Sequence, residues 1–111
     1  MKLNINDIPE TLGHGNTVIK KQLISSDQKK GKIATINYAR LKKGMKVTLH
    51  AHVDGEEYYF FLSGRGNMLL GDDWSVVIRN DFIIVPKNTL HTLINSNDED
   101  LIFLTIRTIE D

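Results

Sequence analysis

GMKVTLHAHVDGEEYYFFLSG, Gly44 to Gly64, is the stretch whose reading decides the fold. It holds two of the four histidines, two adjacent carboxylates and a turn signal between them. Met45 to His52 reads as one strand and Glu57 to Ser63 as the next. His50 and His52 stand two apart, so both side chains leave one face, with β-carbons about 6.6 Å apart. Two imidazoles at that separation can converge on one ion. Asp54-Gly55 is a strong two-residue hairpin signal, because a type I′ turn needs positive φ at both central positions. In that register Val53 pairs with Glu56 and His52 with Glu57. Tyr59 then falls opposite His50, Phe61 opposite Thr48 and Ser63 opposite Lys46. The register selects Glu57 over Glu56 as the third member of the histidine face. Tyr59, Thr48 and Phe61 are expected to line the pocket behind it.

Outward from this stretch the chain breaks into short apolar runs with a turn signal at each break. Strands are expected over Val18 to Ile24, Ile33 to Leu41, Asn67 to Leu70, Trp74 to Ile78, Phe82 to Val85, Leu90 to Ile94 and Leu101 to Thr108. Ser25 to Gly31 and Asn95 to Asp100 are polar turns, and Pro86 ends its strand because it cannot donate to a central ladder. No helical period competes. Short strands at this spacing predict an all-β sandwich or barrel with antiparallel neighbours. Residues 1–17 are expected to be an arm with at most a brief strand or helical turn, and 18–111 one barrel domain. His14, between two glycines in the arm, reads as an exposed loop histidine.

Length and composition limit the functions. A chain of 111 residues suffices for one core. Formal net charge is zero, which gives no field for nucleic acid or an anionic membrane. The absence of cysteine excludes disulfides, thiolate metal ligands and a cysteine nucleophile. No segment approaches 18 consecutive apolar residues, and Met1 to Ile8 lacks the apolar run of a signal peptide, so a cytoplasmic protein is expected.

Two imidazoles and one carboxylate are an incomplete set for a transition metal that accepts nitrogen and oxygen. His91, in the strand Leu90 to Ile94, is the candidate for the missing ligand, and Leu93 on the same strand is expected to line the pocket.

The spacing of these residues resembles the cupin superfamily of small double-stranded β-helix, or jelly-roll, barrels. The first cupin motif is a glycine, five residues, His-x-His, three or four residues, a glutamate, six residues and a glycine. Here it reads Gly44, His50, His52, Glu57 and Gly64 with that spacing. The second motif runs through Asn80, Pro86, Asn88, His91 and Asn95. Its spacing is kept, but asparagine replaces both glycines. Asparagine is the residue after glycine that best tolerates a left-handed backbone, so those turns can survive.

The resemblance implies that His50, His52, Glu57 and His91 ligate one divalent transition metal ion, whether iron, manganese, nickel, cobalt or zinc. Four protein ligands leave two positions in an octahedral ion. That suits oxidation of a bound small molecule, or Lewis-acid polarisation for isomerase, epimerase or lyase chemistry. The first reading is a small metal-dependent enzyme of one of these types, with Tyr59 as proton donor or acceptor. The second is a non-catalytic module binding a small ligand such as a sugar. The third is a structural barrel stabilised by its metal. Asn37, Tyr38 and Arg40 are weaker pocket candidates, and Trp74 covers the core or an oligomer contact. The outward apolar row Tyr58, Phe60 and Leu62 predicts a homodimer, with no nucleic-acid or membrane partner.

Overall fold

The computed structural model describes residues 1–25 and 31–110, and most of the predicted turn from Ser25 to Gly31 lies outside them. A 3₁₀ turn, Ile5–Asp7, opens the chain, capped by the Asn4 side chain on the Asn6 amide. Ten strands follow among the described residues. They are β1 (Thr11–Gly13), β2 (Val18–Ile24), β3 (Ile33–Leu41), β4 (Lys46–His50), β5 (Glu57–Ser63), β6 (Arg65–Leu70), β7 (Asp73–Ile78), β8 (Phe82–Val85), β9 (His91–Ile94) and β10 (Leu101–Thr108). Every pairing is antiparallel.

The strands form two facing sheets. One is ordered β1-β2-β3-β10-β5-β8 and the other β4-β9-β6-β7. Alternation along the chain explains the layering. In β5, Glu57, Tyr59 and Phe61 are buried while Tyr58, Phe60 and Leu62 are only partly so, and β10 repeats the pattern through Leu101, Phe103 and Thr105. These inward rows meet Leu41, Val47, Met68, Val77, Val85 and Leu93 in one core. The rings of Tyr59, Phe61 and Phe103 stack at 5.7–6.2 Å between centroids and form its centre.

The expected hairpin from β4 to β5 does not form. The two strands lie in different sheets, so the predicted pairs of His52 with Glu57, Tyr59 with His50, Phe61 with Thr48 and Ser63 with Lys46 are absent. Instead His50 lies opposite His91 of β9, and Glu57 lies between Val85 of β8 and Arg107 of β10. Neither Asp54 nor Gly55 has positive φ, so no type I′ turn is present. β5 carries a buried row and β4 the buried Val47, and the chain places both in the core by crossing from one sheet to the other.

This crossing is fastened to β10. The Asp54 carboxylate accepts two hydrogen bonds of 2.8 Å from Arg107 Nη2, and Thr108 N donates to Glu56 O. Gly55 is required for close approach. A β-carbon there would fall 2.0 Å from the carbonyl oxygen of Thr108. The two asparagines that replace motif glycines do adopt the left-handed conformation, Asn80 at φ 75° and Asn88 at φ 65°. Asn95, fully buried, closes the other end of the barrel. Its Nδ2 donates to Leu41 O and Glu99 O, and its Oδ1 accepts from Asn97 N.

Substituting Gly55→Ala should destabilise the fold by about 1–3 kcal/mol, the usual cost of forcing extra atoms into packed structure. Urea denaturation checks this, and an unchanged midpoint would show that the crossing does not depend on the close approach.

Candidate metal centre

Four side chains from four places in the chain meet at one end of the barrel. His50 ends β4, His52 stands in the crossing, Glu57 opens β5 and His91 opens β9. One candidate ligand atom from each lies within 4.8 Å of all the others, a grouping that can hold a metal ion. Glu57 Oε1 is the common point. His91 Nε2 is 3.0 Å from it, His52 Nε2 3.3 Å and His50 Nε2 3.8 Å.

The outer nitrogens decide what the inner ones can do. His91 Nδ1 lies 3.0 Å from Thr89 O, and His50 Nδ1 contacts Thr48 O. A carbonyl oxygen only accepts, so each Nδ1 carries the proton and donates. In the neutral ring Nε2 is then a bare lone pair, aimed at a carboxylate oxygen that is also only an acceptor. Lone pairs facing each other at 3.0 Å require a cation between them, either a proton or a metal. Backbone carbonyls that fix the tautomer and aim Nε2 inward are the usual support of a metal-binding imidazole.

Burial alone would raise the Glu57 carboxyl above its ordinary 4.5, but hydrogen bonds from His52 and His91, with their charges, outweigh it and hold the group at about 2. Burial lowers His50, against the raising effect of its bond to Thr48 O. The Tyr59 hydroxyl is pushed well above 10, first by complete burial and then by the Glu57 carboxylate beside it. Tyr59 therefore keeps its proton and can donate a hydrogen bond, and its ring meets that of His91 edge-on at 6.0 Å between centroids.

A cavity of about 60 Å³ adjoins the cluster, with Glu57, Tyr59, Val47, Asn37, Lys20 and His14 in its wall. Of the expected pocket residues Tyr59 is there, but Thr48, Phe61 and Leu93 are not. Thr48 is exposed because β4 loses register between Val47 and His50. The Thr92 hydroxyl takes up the Val47 carbonyl at that irregularity, and Val47 faces inward in place of Thr48. Phe61 and Leu93 are sealed in the core. Arg40 turns outward to Glu10 at 3.1 Å and Asp100 at 3.6 Å.

His14 is exposed in a turn, as expected of a loop histidine, but the sequence does not place it beside the site. Its ring lies 4.9 Å from that of His50, and it borders the cavity. Its backbone is left-handed at φ 53°, followed by Gly15 at 68° and Asn16 at 71°. This tight turn folds the arm back over the site. The only sequence signal for it was the pair of glycines flanking the histidine.

Residues 37–107 match the Cupin domain family. The chain belongs to the cupins. An uncharacterized protein of Methanocaldococcus jannaschii is 34% identical over 77 residues, which are 69% of this chain and 62% of that relative. This chain therefore matches less than two thirds of that relative's length. Among solved structures, one described as a predicted oxalate decarboxylase from Thermotoga maritima superposes with a TM-score of 0.91 at 21% identity, covering 99% of this chain and all of that one. A cupin-superfamily sugar phosphate isomerase from Silicibacter pomeroyi gives 0.82 at 19% identity, covering 99% of this chain and 76% of that one. A polyketide cyclase from Streptomyces resistomycificus gives 0.83 at 15% identity, with 99% and 80% covered. At these identities the three structures share the jelly-roll fold with this chain.

The low carboxyl pKa gives a signed prediction for metal-free protein. Glu57 is near 2 folded and 4.5 unfolded, so its contribution to stability is complete above about pH 4.5 and is lost as pH falls towards 2. The stability difference between wild type and Glu57→Gln should shrink by about 2 kcal/mol between about pH 5 and about pH 3. Urea unfolding of both proteins across that range measures it, and a pH-independent difference would contradict the depressed pKa.

Proposed function

We propose that this cupin is a small cytoplasmic metal-dependent enzyme acting on a small molecule, with His50, His52, Glu57 and His91 as ligands to one divalent transition metal. The observation that carries the proposal is the set of inward Nε2 lone pairs around one ionised carboxylate oxygen, beside a cavity open to a small ligand. Three imidazoles and a carboxylate suit iron, manganese, nickel, cobalt or zinc. When bound, such an ion supplies Lewis-acid or redox chemistry of the oxygenase or isomerase, epimerase and lyase types. The protein's own contribution is in its side chains. Thr89 O and Thr48 O hold the imidazole tautomers. Val47 and Phe103 give the cavity an apolar side, which excludes water from reacting groups. Tyr59 holds its proton next to Glu57 and can donate a hydrogen bond, or the proton itself, to a developing negative charge.

The relatives differ in their described chemistry, a decarboxylase, an isomerase and a cyclase, so the barrel does not select a reaction. The exposed edge of the cavity at His14 also suits a second reading, a non-catalytic module that holds a small ligand such as a sugar.

Elemental analysis should find about one transition metal per chain. His91→Ala should weaken metal binding by more than the 10–100-fold typical of losing a supporting residue behind a ligand. Unchanged metal content in the His50→Ala/His52→Ala double variant would refute the assignment. Metal-loaded protein incubated with small hydroxy acids, keto acids and sugar phosphates, followed by NMR, separates the two readings. New products that disappear in His91→Ala support the enzyme, and binding without conversion supports the module.

The reading includes a homodimer. On the edge strand β7 the outward residues Trp74, Val76 and Ile78 are each more than half exposed, and Phe82 and Ile84 on β8 are as well. Apolar rows of this kind on edge strands are covered in stable proteins. Light scattering at micromolar concentration should give twice the chain mass of 12.6 kDa, and a monomer would refute it.

A further inference from the structure

Besides His14, Tyr59 and Thr105, the cavity wall carries two polar residues outside the metal cluster, Lys20 and Asn37. Lys20, half-buried on β2, borders the cavity, and among the described residues its ammonium has no ion-pair or hydrogen-bond partner. Gly13, across the pairing of β1 with β2, leaves room for its stem. A β-carbon at Gly13 would lie 3.3 Å from Lys20 Cε. Asn37, on β3, borders the same cavity, and its Oδ1 is buried without a donor. A buried acceptor left unpaired is costly, and folded proteins retain few of them.

The third feature is the exposed turn beside the cavity. Its left-handed residues His14 and Asn16 are unfavourable for side chains other than glycine. The strain is held by Thr17, whose hydroxyl contacts His14 O at 2.8 Å and Lys46 O at 2.6 Å, tying the arm to β4. Strained backbone that the surroundings hold in place concentrates at ligand clamps. Here it sets the His14 ring over the cavity, next to Lys20.

The charge count points one way. Glu57 offers one negative charge, and a divalent ion with Lys20 brings three positive ones. The loaded site therefore carries an excess of two positive charges. Low-dielectric walls focus such a field on a small anion. A cavity of about 60 Å³ has room for roughly four water-sized positions.

From these features we infer that the cavity binds a small hydroxycarboxylate, with Lys20 pairing to the carboxylate and Asn37 Oδ1 accepting from the hydroxyl. This names the ligand class of the proposed metal site and rests on that reading. Lys20 is the specificity-determining residue for charge and Asn37 for the hydroxyl. The cavity volume limits the ligand to a few heavy atoms.

The test uses full-length protein loaded with Co(II), whose visible absorption reports ligand arrival without turnover. Glycolate is the probe, with acetate lacking the hydroxyl and ethylene glycol lacking the charge. Wild type should give a saturable spectral change with glycolate, a weaker one with acetate and none with ethylene glycol. Lys20→Met should weaken glycolate at least about tenfold, as expected for losing a charge-assisted hydrogen bond, while Lys20→Arg restores binding and Co(II) affinity stays unchanged. Asn37→Leu should weaken glycolate to the level of acetate and leave acetate where it was. Co(II)-loaded wild type indifferent to glycolate, or binding ethylene glycol equally well, overturns the inference and leaves the metal site standing. Equal glycolate affinity in wild type and Lys20→Met overturns it too. A chain that takes up no Co(II) fails at the metal reading, and the inference falls with it. The three-ligand comparison on wild type needs no variant to fold.

Discussion

One oxygen, Glu57 Oε1, faces three imidazole nitrogens, and two of those rings are committed by their outer nitrogens to backbone carbonyls. The His91 Nε2, 3.0 Å from that oxygen, needs a proton or a metal ion between them. The arrangement also requires parts of the chain far apart in sequence to end at one place. β4 and β9 must be neighbours so that His50 and His91 pair, and β5 must come from the other sheet so that Glu57 closes the set. The two-sheet layout is the geometric solution. A single meandering sheet would leave the ligands on one flat face, open to water, where a carboxylate gains little from its neighbours.

Most strands were legible because burial follows the pleat. The bounds of β2, β3, β5, β8 and β10 coincide with the sequence reading, and each combines alternating or β-branched residues with a turn signal at its end. The four-residue cluster was legible for a related reason. A His-x-His pair, a following glutamate and a distant histidine at fixed spacings form a pattern that ordinary surfaces do not produce. Connectivity between sheets was not legible. Asp54-Gly55 carries the composition of a tight hairpin, but it serves a crossing in which the glycine makes room for Thr108 and the aspartate holds Arg107. Local turn chemistry gives way when the flanking strands, β4 and β5, belong to different sheets. Glu57, and not Glu56, still faces inward and joins the cluster, because face parity along β5 holds whichever strand lies beside it.

The pocket was harder to read than the ligands. Thr48 should share a face with His50, yet the irregularity after Val47 shifts the parity, and Val47 takes the inward position. A bulge inserts a change of phase that no periodicity shows in advance. Phe61 and Leu93 lie on the inward face as expected, but one layer too deep, in the sealed core. His14 is the exposed loop histidine expected, and what the sequence did not show is its position beside the site. A histidine between glycines in a polar arm reads as a loop residue, and only the backbone reveals that the same glycines let the arm fold over the site.

The asparagines at 80 and 88 show how far the motif can change without harming the centre. Both sit at positive φ, where a β-carbon is disfavoured and asparagine is the least disfavoured side chain after glycine. Neither borders the cavity. What the second motif must preserve is the path from β8 through Pro86 to His91. That path is held by backbone bonds, Asn88 N to His52 O at 2.7 Å and Thr89 N to Pro86 O at 3.3 Å. Thr89 in turn presents the carbonyl that fixes the His91 tautomer. The amide at residue 88 thus ties the loop beside one imidazole to the backbone of another, His52. A residue chosen only for its backbone conformation thereby sets the spacing of two ligands, which explains why glycine can be exchanged there for asparagine while the residue count around it is kept.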